Sequence, residues 1–279
     1  MRNLPISVII IAKNAEETIE DCLSSIQRNN PAEIIVVDGN SADRTVEIAR
    51  CYTDRIYSDD GNGPSFARQL GAEQAKQEYV AYVDSDIILT EGTLTTMLTE
   101  LQRSDYVSLN AQVSPKMKTS NYWDWAQWQQ NQYIQLRLRE GHLGTMACLL
   151  PKEVILRYKF DSSAGVLDDI DLEFRLKKAG YKLGTSSALI YRRYLDNLKS
   201  LIKRRFSFGR YYKPRAICKY GPWHAGFWPP LITAYWLAFC LIKGKPALVP
   251  YIIVDGVAEM VGMVVGFTEL IGKVLKRRR

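Results

Sequence analysis

An α/β fold with a mostly parallel central sheet is predicted for residues 1–190 by three observations: strands apolar along their whole length, helical stretches alternating with them, and polar turns at the strands' carboxyl ends. Residues 6–12, Ile-Ser-Val-Ile-Ile-Ile-Ala, are a continuous β-branched run, as a strand covered on both faces requires. A helix is predicted from about 15 to 27, then a second strand at 33–37, Glu-Ile-Ile-Val-Val. Turn chemistry follows at 38–43, with Asp43 placed to cap a helix running to about Cys51. A short strand near 55–57, a helix over 64–76 and the apolar strand 79–83 complete the rhythm. Further on come strands near 106–113 and 145–150 and a helix near 170–180. The aromatic stretch 122–138, with Trp123, Trp125 and Trp128, fits neither period cleanly and is assigned to helix.

Composition bounds the function. At 47% hydrophobic and 24% charged residues, the 279-residue chain is neither fibrous nor disordered. Its five cysteines form no C-x-x-C and cannot all pair, and its two histidines make a zinc site improbable. That cysteine usage makes an intracellular, reduced chain the expectation, and after Met1 and Arg2 comes a strand-like run and not the apolar region of a signal peptide. The net charge of +7 is unevenly spread. Residues 1–188 are acidic, whereas 189–220 hold ten basic residues against Asp196, and 273–279 add five more. A basic belt and a basic tail bracketing an apolar stretch suit an anionic membrane surface and not nucleic acid.

That apolar stretch has two parts. Residues 225–242 carry no charge, with Trp223, His224 and Trp228 at the start, where an interfacial belt would lie. Residues 247–272 carry only Asp255, Glu259 and Glu269, which share one helix face with Gly262 and Gly266. Acids on the face of a Gly-x-x-x-Gly motif should meet protein and not lipid. The segments predicted are a catalytic domain at 1–190, a basic amphipathic interface segment at 191–222 and a C-terminal membrane helical hairpin with a basic tail at 223–279. A shallow arrangement in the bilayer interface and a soluble helical subdomain are the alternatives.

The chemistry centres on Asp84-Ser85-Asp86, at the end of the 79–83 strand. Two carboxylates one residue apart at a strand's carboxyl end converge on one hard cation, Mg2+ or Mn2+, bridging to a diphosphate. An isolated D-x-D is more often two acids in a turn. This one has company. Residues 6–14 followed by Glu16-Glu17, then 33–45 with its Asp-rich turn, resemble the first two strands of the inverting family 2 glycosyltransferases. Gly63-Pro-Ser-Phe-Ala-Arg68, Phe160-Asp161 and Asp168-Asp-Ile-Asp-Leu-Glu-Phe-Arg175 continue the resemblance in the family's order.

The resemblance implies a GT-A fold and a role for each matched residue. Asp38 would bind the base or ribose, with Ala12 and Asn14 lining that pocket, and Arg68 would lie by the nucleotide or its phosphates. Asp84 would contact ribose or sugar and Asp86 would hold the metal. Asp169 would be the general base, with Asp168 and Asp171 as competing candidates. Departures are Ile11-Ala12 where many relatives have Pro-Thr, Gln69 where Asn is common, and Ile202-Lys-Arg-Arg205-Phe206 without the Gln of the processive members. Arg205 would remain as a diphosphate partner, and the missing Gln implies addition of a single sugar. His142, without a metal partner in sequence, reads as structural or acceptor-lining.

The function implied is a membrane-attached, metal-dependent transfer of one sugar from a nucleotide-diphosphate sugar to a lipid-linked, dolichol or polyprenyl, acceptor on the cytoplasmic side. GDP-mannose is the favoured donor, with a UDP-sugar as the alternative. A nicotinamide-linked oxidoreductase is disfavoured because Gly61-Asn-Gly63 lacks the third glycine and does not follow the first strand. A non-catalytic membrane adaptor is disfavoured by the D-x-D and Asp169.

Overall fold

The computed structural model describes residues 3–116, 119–137, 141–161, 168–195, 197–220 and 229–277. Trp223, His224, Trp228, the start of the 225–242 stretch, Asp196 and residues 278–279 lie outside them. The chain divides into two units, residues 1–117 with 132–193 and residues 118–131 with 194–279. The start of the aromatic stretch falls in the C-terminal unit.

The first unit is built on an eight-stranded sheet. Its elements in order are β1 (Leu4–Ala12), α1 (Ile19–Gln27), β2 (Pro31–Asp38), α2 (Thr45–Arg50), β3 (Ile56–Ser58), α3 (Pro64–Gln74) and β4 (Tyr79–Val83). These are followed by β5 (Ile87–Leu89), α4 (Thr93–Arg103), β6 (Tyr106–Val113), α5 (Tyr122–Arg137), β7 (Ala147–Pro151), α6 (Lys152–Tyr158), α7 (Asp168–Lys178) and β8 (Lys182–Arg192). The strand order is β3-β2-β1-β4-β7-β6-β8-β5. β1, β2, β3 and β4 pair in parallel, and β7 runs antiparallel to both β4 and β6. β8 is parallel to β6, so β1, β2, β4, β6 and β8 all point their carboxyl ends to one edge.

The apolar runs are strands because both faces are covered. Ile9, Val37, Val80 and Leu150 pack with Ala67 and Ala72 of α3, Ile155 of α6 and Leu172 of α7. Cys22, Leu23 and Ile26 of α1 and Leu94, Met97 and Leu101 of α4 are buried as well. Gly71 lets α3 approach the sheet, since a Cβ there would stand 2.4 Å from Ile9 Cγ2. The helix predicted from residue 15 starts at Ile19. Residues before it are tied to the next loop, with Ala15 N–H on Thr45 Oγ1 and Glu16 N–H on Asp43 Oδ2. Asp43 also accepts from the Thr45 N–H, the first of α2. All five cysteines are free.

The second unit holds the start of α5, α8 (Leu198–Tyr211), α9 (Lys213–Tyr220), α10 (Pro229–Ile242), a short turn at Pro246–Leu248 and α11 (Val249–Arg277). Only Pro246–Gly272 is long and apolar enough to cross a membrane among the described residues, with a mean hydropathy of 1.8 and half of it buried. α10 is shorter, at 14 residues. α8 lies along α11 in the same direction, through the glycine face. A Cβ on Gly262 would meet Phe206 O at 2.1 Å, and one on Gly266 would meet Arg210 O at 2.0 Å. The acids on that face are paired: Asp255 with Arg205, Glu259 with Arg205 at 3.9 Å and Lys213 at 2.9 Å, and Glu269 with Arg210. Gly262→Val should therefore drive α8 from α11, at a cost of about 3 kcal/mol, seen as a lower Tm and protease cleavage within α8 or α9. An unchanged melting curve would refute this packing.

Candidate active site

Five sequence-predicted residues end three parallel strands at one edge. Ala12 closes β1, Asp38 closes β2 opposite it, and Asp84-Ser85-Asp86 follows β4 directly. β1 is flanked by β2 and β4, from which the chain leaves in opposite directions, and such a switch point opens a crevice at the carboxyl edge. Asn14, in the left-handed region at φ 49°, accepts from Ala42 N–H at 2.8 Å and donates its own N–H to Ser41 Oγ at 2.9 Å. Ser41 N–H in turn donates to Asp38 Oδ2 at 3.0 Å, leaving the buried Asp38 Oδ1 without a hydrogen-bond partner. Asn14 is thus tied to the loop at Ser41 and Ala42. Asp38 presents the open acceptor.

Asp86 Oδ2 accepts from Arg192 Nε at 3.2 Å, and Asp86 Oδ1 is buried with no hydrogen-bond partner. Ser85 is half-buried between the two acids. The turn is held by Asp84 N–H on Met146 O and Arg193 N–H on Asp86 O, both at 2.9 Å. No group of three His, Cys, Asp or Glu able to hold a metal occurs among the described residues. Two carboxylates with an open oxygen nevertheless fit Mg2+ or Mn2+, which take one or two protein carboxylates and fill the remainder with phosphate and water.

Arg68, on α3, is buried, and its Nη1 lies 2.9 and 2.7 Å from the two oxygens of Asp168, itself fully buried. Its Nη2 is 3.8 Å from Asp84. Burial opposes the charge, but Asp168 and Asp84 hold the guanidinium pKa above its ordinary value. One arginine therefore joins the D-x-D turn to the first turn of α7.

The three acids of α7 have separate fates. Asp168 anchors Arg68, while Asp171 accepts from Arg175 Nε at 2.8 Å, and Arg175 bonds the carbonyls of Tyr158 and Lys159. Asp169 accepts from the Ile170 N–H at 2.8 Å and has no ion-pair partner among the described residues. Burial, then the neighbouring charge of Asp168, push its pKa up to about 6. A carboxylate so placed suits proton abstraction near neutral pH.

Two further side chains belong to this neighbourhood. His142 Nδ1 lies 2.7 Å from Glu173 Oε2, which also accepts from the Leu143 N–H at 2.9 Å. Burial opposes it, but the bonds from His142, Lys177 and Leu143 hold the Glu173 carboxyl down at about 2. Sequence reasoning missed Arg192, counted only among the basic belt. No clear alternation along Lys182–Arg192 gave that signal; Arg192 ends a strand at the same edge because β8 pairs with β6 and β5. Arg205, expected as a diphosphate partner, lies in the second unit, where it pairs with Asp255 and Glu259.

A family model described as Glycosyl transferase family 2 matches residues 7–161, more than half of the chain. The chain is 35% identical over 113 residues to a 4,4'-diaponeurosporenoate glycosyltransferase of Staphylococcus haemolyticus, a match covering 37% of this chain and 30% of that protein. It is 26% identical over 179 residues to the glycosyltransferase GlyG of Streptococcus pneumoniae, covering 60% and 56%. The match thus spans less than two thirds of the length of either curated relative. Among solved structures it resembles a mannosyltransferase of Pyrobaculum calidifontis in complex with GDP-Man and Mn2+, with a TM-score of 0.65 at 15% identity, over 95% of this chain and 88% of that one. It also resembles glucosyl-3-phosphoglycerate synthase of Mycobacterium tuberculosis, with a TM-score of 0.53 at 18% identity, over 70% and 74%. At these identities the likeness is one of fold.

Proposed function

The chain belongs to glycosyl transferase family 2, with the GT-A fold, and from that premise we propose that it moves one sugar, mannose from GDP-mannose as first choice, to a lipid-linked acceptor at a membrane. What supports the reading is that Asp38 and Asp84-Ser85-Asp86 stand at the carboxyl edge of one sheet, with Arg68 joining Asp84 to Asp168, the neighbour of Asp169. Asp38 Oδ1 is the acceptor for the base or ribose. Asp84 and Asp86 would hold Mg2+ or Mn2+, which supplies charge stabilisation to the departing diphosphate. Asp169 takes the proton from the acceptor hydroxyl. That oxygen forms a bond to the anomeric carbon from the face opposite the diphosphate, and the bond to the diphosphate oxygen breaks with its electron pair. The configuration inverts.

Mannose is favoured because the Pyrobaculum calidifontis mannosyltransferase, solved with GDP-Man and Mn2+, matches the chain almost from end to end. A UDP-sugar is the second reading, supported by the Mycobacterium tuberculosis synthase, solved with UDP and Mn2+. Thermal shift with GDP or UDP, each with and without Mn2+, and with NADH as control, tests the class. A metal-dependent shift is expected for one nucleoside diphosphate, and a shift with NADH alone overturns the reading. Release of free sugar from a panel of nucleotide sugars then identifies the donor.

Membrane attachment is read from the second unit. Ile253, Val257, Val261, Val264 and Ile271 are exposed and, at about 100° per residue, lie on the face of α11 opposite Gly262 and the paired acids. A spanning α11 would carry α8, with exposed Lys199 and Lys203, to mid-bilayer depth, which is costly. The shallow arrangement suits this pair better than a spanning hairpin: α11 lies in the interface of the cytoplasmic leaflet with that aliphatic stripe toward the acyl chains. With the exposed Cys51 and Cys218 changed to Ser, a cysteine placed at Gly244 should be labelled by an impermeant reagent from the cytoplasmic side of sealed vesicles. Labelling from the opposite side alone would establish a span, and recovery without membranes would refute attachment.

A further inference from the structure

We infer that Arg192 holds Asp86 in the metal-free site and makes metal and diphosphate binding interdependent, so that the divalent cation binds weakly until a nucleoside diphosphate arrives. The inference rests on the assignment of Asp84 and Asp86 to the metal.

Arg192 is the last residue of β8, paired in register with Ile87, so its backbone is tied to the strand that immediately follows the D-x-D turn. The next residue repeats the tie, since Arg193 N–H donates to Asp86 O at 2.9 Å. The guanidinium is largely buried, with Nε 3.2 Å from Asp86 Oδ2 and Nη1 3.4 Å from Met146 Sδ. On the other carboxylate, Arg68 Nη2 stands 3.8 Å from Asp84. Each acid of the D-x-D therefore faces a guanidinium. A divalent cation entering alone meets carboxylates already neutralised and two fixed positive charges beside them, which lowers its affinity.

A diphosphate changes both terms. Its oxygens offer the guanidinium a multiply charged partner that matches the geometry of its N–H donors. Arg192 can then share or leave Asp86, and Asp86 Oδ2 joins the already open Oδ1 in facing the cation. Arg68 is less free to do so, because Asp168 holds its Nη1 at both oxygens. Linkage makes the effect reciprocal: whatever the diphosphate adds to metal affinity, the metal adds to diphosphate affinity.

The discriminating measurement is the affinity for Mn2+ alone, read from the electron paramagnetic resonance of the free ion, in the full chain and in Arg192→Gln and Arg192→Lys. Titrations are repeated with GDP and with UDP. In the wild type, one nucleotide should tighten Mn2+ binding by tenfold or more. Arg192→Gln should bind Mn2+ alone at least about fivefold more tightly and gain less from nucleotide, whereas Arg192→Lys, which keeps the charge, should stay near the wild type. A residue that merely shaped the turn, or bound only phosphate, would leave Mn2+ affinity unchanged or weaker on removal. Unchanged or weaker binding in Arg192→Gln, with the wild type responding to nucleotide, overturns the inference and spares the site. Absence of Mn2+ binding by the wild type with either nucleotide overturns the metal assignment itself. Should Arg192→Gln melt early, a metal affinity in Arg192→Lys as tight as a charge-free site predicts would equally refute the role of the charge.

Discussion

Asp169→Asn is expected to lower kcat by roughly 10²-fold or more while leaving donor affinity within a few-fold, the signature of a group needed only in the transition state. The expectation singles out one acid of three. Asp168 is bound through both oxygens to Arg68, and Asp171 bonds Arg175, which bridges to the end of α6. Asparagine at 169 preserves shape but cannot take a proton. Because the Asp169 pKa is raised to about 6, kcat/KM of the wild type should climb with pH through that value and level off above it. A profile falling over that range would mean the group acts as an acid. The same shift has a stability consequence. A folded pKa above the unfolded value of about 3.9 means that stability contributed by this group is lost as pH rises between the two. Asp169→Asn should accordingly melt no lower than the wild type at pH 8, which separates lost catalysis from lost folding. If Asp168→Asn or Asp171→Asn shows the kinetic pattern and Asp169→Asn does not, the base is the neighbour.

Asp86→Asn is expected to reduce transfer to background and to abolish the metal-dependent part of nucleotide binding. An amide offers a hard dication no anionic oxygen, and with Asp84 alone the site has one carboxylate left. The change also replaces the carboxylate that accepts from Arg192 Nε with a neutral amide. Isothermal titration of nucleotide with and without Mn2+ checks both effects. Turnover close to wild type with unchanged metal dependence would show that Asp86 is no ligand.

The sheet's first half was legible because its strands are covered on both faces, so Tyr79–Val83 and, apart from the buried Ser7, Ile6–Ala12 are apolar. The second half was less so. β8 contains Gly184, Thr185, Ser186 and Ser187, and it is a strand because β6 and β5 pair with it on either side. α4 carries three threonines among its first four residues and is a helix because Leu94, Met97, Leu98 and Leu101 share a buried face, packing that overrides propensity.

By itself the sequence determined where these acids stand: Ala12 and Asp38 end apolar strands, Asp84-Ser85-Asp86 follows a third, and the acids of 168–171 open a helix. Local pattern suffices there, since a strand's polar end emerges where its burial stops. Tertiary structure alone decided which charge meets which. It set Arg68 between Asp84 and Asp168, brought Arg192 to Asp86 across 106 positions of sequence, and paired Arg205 with Asp255 within the second unit. Ion pairing depends on distances of a few ångströms between elements far apart in the chain, and no period or spacing along the chain encodes those distances.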